Sequence, residues 1–276
     1  MVYEKADLVQ IAKKIIDSGA VDVRNVDAGE KPFVYSSGNR GPGYVMIKGL
    51  VGQPEVLKFL VRELAHKVVE QAKFDFIEGN ATGGMVPAWQ LRNDISEIVG
   101  REIPYCYLRG SRKEGGHGEL ITGNGNNPLI KQGMSVLVVE ELVNYAETTC
   151  NAAVEFRKAG YPVSHAACIL NYNHEEAQTR LAAAKVNLVH LIALPELLEI
   201  AEAENWLPKA GINSYKQSLA DPIEWQLSRG FVIPTKSAQT AIAKGRKMVK
   251  LSPADALAKG APEDRLRIGD EYWEQQ

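Results

Sequence analysis

The sequence predicts an α/β protein: a parallel sheet flanked by helices, with a small N-terminal hood and a C-terminal extension. Three observations carry that reading. Short apolar, β-branched runs alternate with helical stripes from residue 54 to residue 206, the rhythm of strands joined by crossover helices. One run, Ser135-Val136-Leu137-Val138-Val139, closes in two carboxylates, Glu140 and Glu141, and reads as a buried parallel strand. Another, Phe74-Asp75-Phe76-Ile77-Glu78, feeds the turn Gly79-Asn80-Ala81-Thr82-Gly83-Gly84 and then a helical stretch. Such a strand, turn and helix can cradle an anion with backbone amides.

Taken in order, residues 5–18 place Leu8, Ile11, Ala12, Ile15 and Ile16 on one helical stripe that Gly19 ends. Residues 33–44, with Ser37-Gly38 and Gly41-Pro42-Gly43, read as a strand, a tight turn and a second strand; alone, this is a plain hairpin. Residues 54–71 form an amphipathic helix, with Pro54 in the first turn and Leu57, Leu60, Val61, Leu64 and Val68 on one face. A helix over 85–98 and a strand over 103–108 follow. Residues 109–119, from Arg109 to Glu119, are too glycine-rich and charged to pack. A loop of that length is a binding lid or a solvated connection, and its cations Arg109, Arg112 and Lys113, with His117, would suit a phosphate-rich ligand.

After the acidic pair comes the polar loop Asn144-Tyr145-Ala146-Glu147-Thr148, then a helix that ends at Ala159-Gly160. Strands over 166–172 and 186–194 alternate with helices over 174–184 and 195–206. Beyond 206 the rhythm breaks. Asp221-Pro222 opens a short helix, Lys244-Gly245-Arg246-Lys247 is basic, and Ser252-Pro253-Ala254-Asp255 caps another helix. The expected division is a main domain over 1–210, its hood in about 1–50, and an extension over 211–276 that packs on the core or on a partner and ends in a polar tail.

Composition narrows the function. With 45% hydrophobic residues, 24% charged residues and a net charge of −2, the chain has the make-up of an ordinary soluble protein and no polyanion-binding excess. No helix-turn-helix segment precedes the core, so nucleic acid is not an expected partner. Cys106, Cys150 and Cys168 are odd in number and far apart, which suits small buried hydrophobes rather than zinc ligands or disulfides. No apolar run has membrane-spanning length and no signal pattern opens the chain. A cytoplasmic location with no membrane partner is expected.

With these loops placed, the chain resembles orotate phosphoribosyltransferase, of the type I phosphoribosyltransferase family, over about residues 20–210. The matching segments fall in one order. They are Phe33 through Tyr44; Gly79-Asn80-Ala81-Thr82-Gly83-Gly84-Met85-Val86-Pro87; Tyr107-Leu108-Arg109 through His117-Gly118, continued by Ile121-Thr122-Gly123; Val138-Val139-Glu140-Glu141-Leu142-Val143; Ile169-Leu170-Asn171-Tyr172; and the stretch from Leu191 to Ala201. The resemblance implies transfer of ribose 5-phosphate from phosphoribosyl pyrophosphate to a pyrimidine-like base, with Mg²⁺ and release of pyrophosphate, in pyrimidine nucleotide biosynthesis. It implies a homodimer whose lid reaches into the neighbouring site. It also assigns roles. Glu140 and Glu141 would hold the ribose hydroxyls and the metal, and Thr82, Gly83 and Gly84 would cradle pyrophosphate. Arg109, Arg112, Lys113 and His117 would close over it, Lys113 and His117 as catalytic groups. Tyr44 would stack on a flat base near Lys48, and Asn144 and Thr148 would line the 5′-phosphate loop.

The same comparison exposes departures. The family carries small residues after the acidic pair, where amides wrap the phosphate. Here Tyr145 is bulky and Glu147 brings a negative charge. Two like charges in contact cost roughly 4 kcal/mol at an effective dielectric near 20. Gly115 stands where the family has a lysine two residues before the histidine, and Ser36 where a lysine precedes Ser-Gly. A second function therefore stands beside the transferase: a catalytically lapsed family member that binds a nucleotide or anion as a sensor or partner subunit. The direction of the Glu147 carboxylate separates the two.

Overall fold

The computed structural model describes residues 5–110, 120–125 and 127–276. Their Cα packing divides into two units: residues up to 20 with 46–200, and residues 21–45 with 201–276. The division thus falls elsewhere than at residue 210, and the expected hood is shared between the units.

The first unit is built on a six-stranded sheet. Its spatial order is Asn187–Ala193, Val163–Asn171, Val136–Val143, Phe76–Asn80, Tyr105–Leu108 and Ile121–Thr122. All pairings are parallel except the last, which is antiparallel. Phe76–Asn80 and Val136–Val143 are buried over most of their length, as unbroken apolar runs in a helix-covered sheet demand. One side of the sheet packs the helices Glu147–Lys158 and Glu175–Ala183, with Phe76, Phe156 and Tyr161 meeting at tilted and edge-on angles. Lys5–Asp17, Pro54–Gln71, Met85–Val99 and the start of Leu194–Ala203 add further helical packing, with Ile11, Ile15, Leu60, Leu64, Leu91 and Leu197 fully buried. The three cysteines are buried and free.

From Phe76–Asn80 the chain steps first to Tyr105–Leu108 on one side, then to Val136–Val143 on the other. The carboxyl ends of these two flanking routes diverge, and that divergence leaves a crevice between Phe76–Asn80 and Val136–Val143. The sheet therefore selects the place of the site before any side chain is considered.

The second unit joins both chain regions. Val21–Val23 pairs with Gly43–Val45, and Phe33–Val34 with Arg40–Gly41, all antiparallel. The helix Lys209–Ala220 lies on the first pair, its Tyr215 ring so close that a Cβ on Gly43 would stand 2.2 Å from it. Three strands, Ile233–Pro234, Tyr272–Gln275 and Met248–Lys250, make a further antiparallel sheet. The end of the chain, expected as a polar tail, is instead the central strand of this sheet, with Tyr272 buried. Cross-links to the hairpin are polar: the Arg40 backbone N–H donates to Gln226 Oε1 at 2.7 Å, and Ser237 Oγ donates to Asn39 Oδ1 at 2.9 Å.

Candidate active site

Two loops meet at the crevice. The first follows Phe76–Asn80 and leads through Gly83 and Gly84 into the helix Met85–Val99. The second follows Val136–Val143 and leads through Asn144, Tyr145 and Ala146 into Glu147–Lys158. The loop approaches its neighbours too closely at two glycines for a side chain to fit without a shift. A Cβ on Gly84 would lie 2.2 Å from the Val139 carbonyl oxygen, and one on Gly83 would lie 2.0 Å from Glu141 Oε2. The peptide Ala81–Thr82 is cis.

The resulting cavity, about 360 Å³, is lined by Lys48, Thr82, Gly83, Glu140, Glu141, Asn144 and Thr148 among others. Seven residues singled out in the sequence thus share one wall. Gly84 lies behind them as the contact with Val139. Arg109 follows Tyr105–Leu108, where its N–H donates to the Leu120 carbonyl at 2.9 Å. This bond ties together the two ends of the expected lid. Arg112, Lys113 and His117 lie outside the described residues. Tyr44 belongs to the second unit, where its ring stands 5.4 Å from Phe33.

The acidic floor is graded. Glu140 is buried, and its Oε1 accepts from Asn80 Nδ2 and from Thr148 Oγ1, both at 2.7 Å. Burial pushes its carboxyl up to about 7, aided by the Glu141 charge and opposed by those two hydrogen bonds. Glu141 is also raised by burial, with its own backbone and the Lys48 ammonium pulling the other way. Beneath them Glu78 is fully buried and pushed well above the carboxylate range, first by burial and then by the Glu140 charge. Thr148 is accordingly a partner of Glu140 through its side chain, and only its backbone remains for an anion.

In the loop after the acidic pair, Glu147 lines the cavity together with Tyr145. Its Oε1 lies 3.5 Å from Arg180 Nη1, on the neighbouring helix Glu175–Ala183. Tyr145 stacks on His174, with ring centroids 4.7 Å apart and planes at 7°, and its carbonyl accepts from Arg180 Nη1 at 2.5 Å. Ala146 occupies the left-handed region at φ 57°. Asn80, Glu78, Thr149, His174 and Arg180 were not singled out from sequence. Glu78 had a visible signal, a charge inside an apolar strand; Arg180 on an amphipathic helix had none.

The donor set can be tested against Mg²⁺. Among the described residues no cluster of three His, Cys, Asp or Glu side chains could cage a metal. Glu140 and Glu141 nevertheless give hard oxygen donors on the cavity wall. That suits a cation that takes one or two carboxylates and completes its shell with phosphate and water.

The sheet order and the glycine-bridged crevice give the chain a type I phosphoribosyltransferase fold, and the comparisons agree. No family model matches the chain. The chain is 29% identical to the orotate phosphoribosyltransferase of Bacillus caldolyticus and 28% identical to that of Listeria innocua. Each match covers 78% of this chain and 97% of the relative. Among solved structures, orotate phosphoribosyltransferase from Aeropyrum pernix matches with a TM-score of 0.54 at 25% identity, over 72% of this chain and 99% of that one. Both of these relatives and this solved structure are orotate phosphoribosyltransferases.

Proposed function

We propose that this protein is an orotate phosphoribosyltransferase-like enzyme. It transfers ribose 5-phosphate from phosphoribosyl pyrophosphate to a pyrimidine-like base, orotate being the first candidate, and releases pyrophosphate. The observation that supports this reading is the packing of Gly83 against Glu141: one cavity is lined by the two carboxylates expected to hold ribose and by Thr82 and Gly83 of the loop expected to meet pyrophosphate. A catalytically lapsed relative is the less favoured reading, since the curated relatives carry transferase names over nearly their whole length.

Each group has a task. As the ribose C1–O bond breaks, the leaving pyrophosphate takes the electron pair and C1 becomes cationic. The ring nitrogen, its proton released to water, forms the new bond to C1. Glu141, with Glu140 behind it, would accept from the ribose hydroxyls and offset charge on the ring. Thr82 and Gly83 would meet the pyrophosphate with backbone N–H groups, whereas the Gly84 N–H donates to the Asn80 carbonyl at 2.9 Å and its role is to let the loop approach the strand. Lys48 would stand beside the carboxylates, and Asn144 and Thr148 would border the 5′-phosphate. Arg109, Arg112, Lys113 and His117 would close over the phosphates and exclude water. Mg²⁺, held by Glu140 and Glu141 with the donor's own oxygens, would neutralise pyrophosphate charge. A homodimer in the cytoplasm completes the reading; among the described residues no helix is long and apolar enough to cross a membrane.

The test is pyrophosphate release from phosphoribosyl pyrophosphate in the presence of Mg²⁺ and orotate, followed by a panel of other pyrimidines. Glu141→Gln is expected to lower the rate on the order of 100-fold with the fold intact. Absence of release with every base would defeat the proposal.

A further inference from the structure

The residues that replace the usual small phosphate-loop side chains share one anchor. Arg180 Nη1 donates to the Tyr145 carbonyl at 2.5 Å and lies 3.5 Å from Glu147 Oε1, while Nη2 donates to Glu176 Oε1 at 2.9 Å. The guanidinium fork is thereby fixed from its own helix by the residue one turn earlier and presented to the loop. The Tyr145 ring is secured to the same region through His174, which directly precedes that helix. Bulk and charge at 145 and 147 have partners on a single element.

What this leaves at the cavity is polar and unused. The helix Glu147–Lys158 starts after Ala146 with no side-chain cap, so its first-turn amides have no intrahelical acceptor. Thr149 is 1% exposed, and its Oγ1 has no hydrogen-bond partner; Asn144 Oδ1 is likewise buried and unpartnered. Both residues line the cavity. A buried hydroxyl without a partner is costly unless a ligand satisfies it, and a phosphate dianion would satisfy the hydroxyl and the amides together.

We infer that Arg180 is a positioning residue for the 5′-phosphate of the donor: it neutralises Glu147, and so lets a loop with an acidic side chain accept a dianion. The inference rests on the proposed transferase reading for the identity of the ligand, but its test does not require turnover.

Ribose 5-phosphate binding is measured by calorimetry at fixed ionic strength for the wild-type chain, R180M, E147Q and the double variant. R180M is expected to weaken binding about tenfold or more, because Glu147 then faces the phosphate without its counter-charge. The double variant is expected to recover to within about threefold of wild type, since the charge that needed neutralising is gone. A purely structural role for Arg180 would leave the double variant as weak as R180M, and that result overturns the inference. So does an unchanged R180M, or a wild-type chain that does not bind ribose 5-phosphate. Should R180M not fold, E147Q carries the test: it is expected to bind severalfold tighter, and binding no tighter overturns the inference. A wild-type chain that binds ribose 5-phosphate yet releases no pyrophosphate with any base would overturn the transferase reading and leave this one standing.

Discussion

At the scale of single residues, the two glycines of the anion loop make different demands. A methyl on Gly83 would meet the end of a side chain, Glu141, whereas one on Gly84 would meet the backbone carbonyl of Val139. Side-chain ends can move and strand backbones cannot. Gly83→Ala is therefore expected to fold normally but to displace the Glu141 carboxylate, lowering pyrophosphate release by about 10- to 100-fold. Gly84→Ala is expected to lower stability by about 2 kcal/mol or more, as overpacking in a tight site does. Melting curves and rates for the pair check both, and a Gly83→Ala protein with full activity would show that the position of the Glu141 carboxylate set by Gly83 does not govern the rate.

At the scale of elements, the strand Asn187–Ala193 sets a pH response. Burial, with the Lys67 charge adding to it, lowers the His190 imidazole, whose Nδ1 is buried without a partner. Lys67 Nζ itself donates to the His190 and Leu191 carbonyls at 3.2 and 2.9 Å. The folded chain thus resists a proton that the unfolded chain accepts near pH 6.5. Stability from this group is present above that pH and lost as pH falls toward the depressed folded value. Melting temperatures from pH 7.5 to 5 are expected to fall more steeply for wild type than for His190→Gln. Equal slopes would show that His190 is not the group responsible.

At the scale of the molecule, the second unit ties residues 21–45 to the last quarter of the chain. Tyr272 is buried in the final strand, and its hydroxyl donates to the Gly38 carbonyl at 3.4 Å. A Cβ on Gly38 would collide with that hydroxyl. Tyr272→Ala should cost about 3 kcal/mol or more, in line with buried aromatic truncations, and the loss should appear far away in sequence. Hydrogen exchange is expected to rise in residues 33–45 as well as in 233–275. Faster exchange confined to the C-terminal strands would show that the hairpin holds its shape alone.

The alternation of strands and helices was legible because period and burial follow from local composition. Two loops were legible for the same reason: Glu140-Glu141 and Gly83-Gly84 interrupt apolar runs with residues a buried strand end would not otherwise carry. By itself the sequence therefore determined the α/β class, the acidic pair and the glycine turn. It could not place Glu147. Read as a string, that residue puts a negative charge where a phosphate belongs; in the fold it lies 3.5 Å from Arg180, 33 positions along the chain. Nor could it show that the terminal strand at Tyr272–Gln275 completes a unit begun at residue 21. Both depend on which distant segments become neighbours. Periodicity reports the face on which a residue sits, and only packing decides what faces it.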